Sequence, residues 1–190
     1  MTIWETAMRN ANRRLTLKAR PEGLAGPEHF TEDSVAVRPP EPGEVLLETM
    51  YISIDPAMRV WISENPGYVP RIEIGEVMRA GGIARVLQSQ ADGFAPGDVV
   101  QARVGWQSHP TLLAADLEPI DVALGDPLDW IGLLGMTGMT AYFGMRDIGG
   151  VRPGQTVLVS GAAGAVGQVA GQVGRIEACR VVGIAGGGDK

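Results

Sequence analysis

In the first 120 residues, apolar positions come in short runs broken by Gly and Pro. Residues 12–20 and 44–52 read as strands, and Pro39-Pro40 and Glu41-Pro42-Gly43 between them are turn punctuation. Residues 75–88 predict a strand interrupted at Gly81-Gly82, a bulge or sharp bend. A further strand is expected over 98–104, entered through the turn Phe94–Gly97. Short strands separated by Gly/Pro turns predict a small β-rich domain, a partly open barrel.

The pattern changes after about residue 120. Asp126-Pro127 reads as an N-cap and a first-turn proline, and the apolar stretch after it predicts two helical segments joined near Thr137-Gly138. Val151–Gly154 is a turn. A β-loop-α-β unit then runs from 156 to 185, close to the length of one parallel crossover. Its helix places Val166, Val169, Ala170, Val173 and Ile176 at the spacing of one buried face. Its second strand, Cys179–Ala185, is a continuous apolar run, as in a parallel sheet covered on both sides.

The loop of this unit reads GAAGAVG from Gly161 to Gly167. Gly164 and Gly167 occupy the second and third glycine places of the dinucleotide fingerprint. There the lack of a side chain lets a pyrophosphate approach and a helix pack closely. Ala162, preceded by Gly161, stands at the first place, which makes this a variant of the fingerprint. The helix start at Gly164, Ala165 and Val166 offers unpaired N–H groups and the positive end of the helix dipole to phosphates.

Composition narrows the classes of partner. The net charge is −6 and the sequence pI about 4.9, without a basic run, so neither nucleic acid nor an anionic membrane is an expected partner. A single cysteine, Cys179, rules out an intramolecular disulfide and fits a reducing compartment. The N-terminal segment lacks the apolar core of a signal peptide, and no apolar run approaches a membrane span. The expectation is a soluble cytoplasmic protein.

Four stretches together carry a specific resemblance: YISIDPAMRVW, GEVMRAGGIARVL, LGMTGMTAYFGM and VLVSGAAGAVGQVAGQVG. From about Asn12 to Lys190 the chain resembles the zinc-independent medium-chain reductases, and within them the NADPH-dependent alkenal/enone reductases. The resemblance implies an α/β fold with a β-rich part: a GroES-like catalytic domain over 1–122, then the first part of a Rossmann NADP-binding domain over 123–190. Where zinc-dependent relatives carry His–Glu ligands, this chain reads Ile74-Gly75-Glu76-Val77. His29, His109 and Cys179 are scattered, so no metal site is expected.

By the same resemblance, Met136 and Thr140 lie beside the nicotinamide of NADP(H), with Gly138 permitting close approach. Packing is the competing role for the methionines. Tyr51 corresponds to a pocket position that is aromatic in many relatives, and a phenol suits donation to a carbonyl oxygen. Asp55-Pro56 reads as a turn element, and Arg59 and Tyr68 as residues of the cleft mouth or of packing. At the second strand end, Ala185-Gly186 replace the carboxylate that NAD-specific sites use, and Lys190 matches the lysine that binds the 2′-phosphate, with Asp189 beside it.

The implied reaction is reduction of the C=C bond of an α,β-unsaturated ketone or aldehyde by hydride transfer to its β-carbon. Tyr51 is the catalytic donor in this reading. Quinone reduction and a non-catalytic nucleotide-binding or interaction role are the alternatives, and a homodimer is left open. Family members extend beyond the position of Lys190, so the chain reads as the N-terminal part of a longer enzyme. Alone it is expected to be a poor catalyst.

Overall fold

The structure, a computed structural model, describes residues 11–67 and 69–187 and divides into two compact units between Leu124 and Gly125. In the first unit β1 (Ala11–Leu17) pairs antiparallel with β2 (Phe30–Ala36), from Ala11 opposite Ala36 to Leu17 opposite Phe30. A five-stranded antiparallel sheet follows, made of β3 (Glu44–Ile52), β4 (Gly82–Ser89), β5 (Val99–Ala102), β6 (Thr111–Leu113) and β7 (Glu118–Pro119). Its order is β6-β3-β4-β5-β7. Residues 106–108 bridge the two sheets: Leu15 N–H donates to Trp106 O, Ser108 N–H to Arg13 O, and Thr49 N–H to Ser108 O. The strands thereby curl around a core of Val45, Leu47, Ala84, Val86, Val100 and Val104. A second cluster joins Leu17, Ile62, Ile72 and Met78, the first of them from β1.

The strand expected over 75–88 is two things. Gly75 turns with φ +92°, and 76–78 run beside β1, with Met78 N–H on Leu15 O. The ladder of β4 begins at Gly82, where an added Cβ would stand 2.3 Å from Tyr51 O and 2.6 Å from a Val104 methyl. The bend expected at Gly81-Gly82 is thus a chain crossing that a side chain would block. β1 stops at Leu17, short of residue 20, because Lys18 and Ala19 turn their N–H groups to His29 O. β2 was not foreseen. Its FTEDSVA sequence shows mostly polar, exposed positions and no apolar alternation. Between β3 and β4, helix α1 (Ala57–Trp61) follows the turn at Asp55, whose carboxylate accepts from Ser53 Oγ at 2.8 Å.

The second unit opens with α2 (Pro127–Ile131), capped by Asp126, whose Oδ1 accepts from Leu128 N–H at 2.9 Å. Helix α3 (Met136–Phe143) follows and runs directly into a π-helical turn at Gly144–Ile148. The break between the helices therefore lies at 132–135, not at Thr137-Gly138. A Cβ on Gly135 would meet Trp130 O at 2.3 Å, and Gly138 N–H reaches back to Gly132 O. Then come β8 (Thr156–Ser160), α4 (Ala165–Ile176) and β9 (Arg180–Ile184), with β8 and β9 paired in parallel from Thr156–Arg180 to Ser160–Ile184.

Two details of this unit differ from the sequence reading. Val169 is buried, but Val166 is exposed and Ile176 is 81% exposed, so the helix does not bury all five apolar positions. It meets the Gly-rich loop through Gly167 and β9 through Gly171 and Gly174: Cβ atoms there would stand 2.3 Å from Gly161 O, 3.8 Å from a Val181 methyl and 3.0 Å from the other Val181 methyl. β9 is mostly exposed in spite of its apolar sequence, so among the described residues it is not covered on both faces. Gly and Val alternate along α4, and periodicity alone favours the larger residue as the buried one.

Candidate functional site

In the first unit the sequence leads to Tyr51, and its setting comes from a bulge. Thr49 pairs with Ala84 and Tyr51 with Ile83, leaving Met50 without a partner on β4. The extra residue changes the parity of the strand, so Tyr51 leaves the face that carries Val45 and Leu47. Tyr51 is 37% exposed and lines a cavity of about 340 Å³ together with Leu15, Met50, Ile52, Trp106 and Ser108. The Arg13–Glu32 ion pair stands on the same cavity. Ser108 Oγ already accepts from Arg13 N–H at 2.9 Å and faces Asn12 Oδ1 and His109 Nδ1. Thr49 Oγ1 and Trp106 Nε1 are buried out of reach of solvent. Both also lack hydrogen-bond partners among the described residues, but of these groups the Tyr51 phenol is the one on an exposed side chain, and so free to donate to a ligand oxygen.

Other residues singled out by the sequence serve the fold. Arg59 donates from Nε to Gly23 O at 2.8 Å and from Nη2 to Pro21 O at 2.9 Å, pinning the loop after β1. Glu76, in the region where zinc ligands would fall, accepts from Glu73 N–H at 2.7 Å. Among the described residues no three His, Cys, Asp or Glu side chains converge in a metal-binding group. Tyr68, Asp189 and Lys190 lie outside the described residues.

In the second unit the glycine-rich loop is one tight turn. Gly161 takes φ +59°, so the left-handed residue of the turn is Gly161 and not its neighbour Ala162. Gly164 N–H donates to Gly161 O at 2.8 Å, and Ala162 N–H ties the loop to Ile184 O of β9 at 2.9 Å. Gly164 is the N-cap of α4 and has an extended backbone, and no side chain caps the helix. The N–H groups of Ala165, Val166 and Gly167 are therefore open toward an anion. Gly167 is a contact that only glycine fits, since its Cβ would also lie 2.9 Å from Ala162 Cα. Sequence reasoning missed Gly183 on β9. A Cβ there would collide with the Ala162 methyl at 2.8 Å, so a small residue on the neighbouring strand makes room for the loop.

Helix α3 brings Met136 and Thr140 to one side, one turn apart, both exposed, Met136 to 77%. Thr140 Oγ1 donates to Met136 O at 2.7 Å. Its proton is thus used within the helix, and its lone pairs remain free to accept. Gly138 has a role the sequence did not show. A Cβ would fall 1.7 Å from Leu133 O, so its small size serves the chain's own turn.

An uncapped helix start behind a Gly-rich turn, on the crossover of a parallel strand pair, is the arrangement of dinucleotide-binding βαβ units. Residues 13–120 match the family described as the N-terminal domain of oxidoreductase, and the chain belongs to that family. The chain is 43% identical over 183 residues to the NADPH-dependent curcumin reductase of Escherichia coli, a match covering 94% of this chain and 52% of that protein. It is 40% identical over 178 residues to prostaglandin reductase 1 of Mus musculus, covering 92% and 52%. The crystal structure of CurA from Vibrio vulnificus in complex with NADPH superposes with a TM-score of 0.82 at 37% identity, covering 93% of this chain and 52% of that one. The first unit is accordingly a GroES-like partly open barrel and the second the opening part of a Rossmann fold. The chain spans about half the length of the curated relatives it matches.

Proposed function

We propose that the protein is a cytoplasmic, NADPH-dependent reductase of the C=C bond of α,β-unsaturated ketones and aldehydes. The observation that carries the reading is the identity of 43% to a curcumin reductase, which extends through both units and includes the phosphate loop. The loop fits a dinucleotide: its helix start is uncapped, and a Cβ at Gly167 would fill the turn.

Ala162, Gly164, Ala165, Val166 and Gly167 hold the pyrophosphate against backbone N–H groups. Thr140 Oγ1 accepts from the carboxamide of the nicotinamide, and Met136 packs against its ring. Lys190 pairs with the 2′-phosphate and sets the preference for NADP(H). The chemistry a bound nicotinamide supplies is a hydride for the substrate's β-carbon. Tyr51 donates a hydrogen bond from its phenol O–H to the carbonyl oxygen, where negative charge gathers as the enolate forms. Such a donor lowers the barrier by favouring the developing charge over the neutral ground state. A proton from solvent water then reaches the α-carbon to give the saturated ketone. The apolar lining of Leu15, Met50, Ile52 and Trp106 takes the carbon skeleton of the substrate.

The reading is tested by titrating the full-length protein with NADPH and with NADH, and then adding a simple enone. NADPH binds more tightly and is consumed with formation of the saturated ketone. Equal binding of both dinucleotides, or consumption without a saturated product, contradicts it.

A further inference from the structure

We infer that Arg146 is a positioning residue that locks the setting of α3 against α4, and with it the span between the two ends of the dinucleotide site. The inference rests on the proposed NADPH-dependent reading. Arg146 lies in the π-helical turn that continues α3, where Gly149 N–H donates to Gly144 O at 2.8 Å, five residues back. Its Nη1 donates to Tyr142 Oη at 2.8 Å, and the guanidinium lies 5.4 Å from the centre of the Tyr142 ring. Its Nε pairs with Glu177 Oε1 at 3.2 Å, and Glu177 is the C-cap residue of α4. One side chain thus ties the last turn of α3 to the C-cap of α4. Beside it, the Met145 methyl lies 3.3 Å from where a Cβ on Gly174 would stand, so the helices close over a notch in α4.

The two groups that Arg146 brings into register lie elsewhere. Met136 begins α3 ten residues earlier, about 15 Å along a helix at 1.5 Å per residue. The phosphate loop lies at the opposite end of α4 from Glu177. Arg146 therefore touches neither end of a bound dinucleotide and acts through the helices. A ligand that bridges both groups gains from their correct spacing, whereas a ligand that meets one of them does not. The pairs are partly exposed, which limits the effect to a few-fold.

The test compares Arg146→Ala with the parent protein by calorimetric titration with NADPH, adenosine 2′,5′-bisphosphate and reduced nicotinamide mononucleotide. NADPH is expected to weaken by about two- to fivefold, the range of a partly exposed ion pair, while both half-ligands bind as before. Arg146→Lys, which keeps a cation for Glu177, recovers part of the loss. Equal weakening of NADPH and the half-ligands shows general loosening and overturns the inference, as does unchanged NADPH binding. A parent protein that binds none of the three overturns the dinucleotide reading itself, which separates the two failures.

Discussion

Ala178 takes φ +55° just after α4, where Gly154 N–H donates to its carbonyl. A Cβ in the left-handed region costs about 1–2 kcal/mol, and glycine avoids it. Ala178→Gly should therefore raise stability by about 1 kcal/mol, read as a higher urea midpoint with an unchanged slope. At the head of β3, the Arg38 fork donates to both Glu44 carboxylate oxygens at 2.7 Å, and Glu41 N–H donates a third bond. These bonds lower the Glu44 pKa from 4.5 to about 2, with the Arg38 hydrogen bonds the largest cause. A depressed carboxylate pKa contributes stability that is full above the unfolded value and disappears as the pH falls through the folded one. Acid titration of unfolding should show this loss between about pH 4.5 and 2, and Glu44→Gln should flatten it. Tyr51→Phe should lower kcat for enones about 10- to 100-fold while NADPH affinity stays constant, since a removed oxyanion donor costs of that order or more. Equal kinetics across several enones would reduce Tyr51 to packing.

At the scale of elements, α4 separates what a sequence shows from what packing decides. The helix, its start at the Gly-rich loop and the flanking strands were legible because apolar period, turn residues and strand runs agree there. Its inner face was not, because Gly167 lies against the loop and Gly171 and Gly174 against β9, where the valine spacing points elsewhere. The three glycines differ, and this gives a paired prediction. Gly167→Ala drives a methyl into Gly161 O and should cost about 1–3 kcal/mol, the usual range of overpacking. Gly171→Ala meets a Val181 methyl at an ordinary 3.8 Å and should gain up to about 1 kcal/mol from helix propensity. Thermal unfolding of both variants checks the signs. The same limit explains the misplaced helix break. Gly138 looked like a hinge in GMTGMT, but it is a buried helical residue under Leu133 O, and the chain turns at Gly132–Gly135. β2 was illegible for another reason: as an exposed strand with a polar sequence it offers no apolar alternation to read.

For the whole molecule, the division into a β-rich unit and a βαβ-containing unit follows from the change in pattern near residue 120, and the structure divides after Leu124. The candidate site was legible in its parts. The Gly-rich turn and the helix start behind it were visible from spacing, and Tyr51 was singled out through the YISIDP motif. The Met50 bulge that turns Tyr51 toward the cavity is a property of pairing with β4, and no residue of β3 announces it. The proposed reaction is defined by the carbon that receives the hydride. The most direct measurement is reduction of a simple enone by the full-length protein with NADPH deuterated at nicotinamide C4, followed by NMR of the product. The account predicts a saturated ketone carrying deuterium on the β-carbon. Deuterium on the carbinol carbon of an allylic alcohol would show reduction of the carbonyl instead and contradict it.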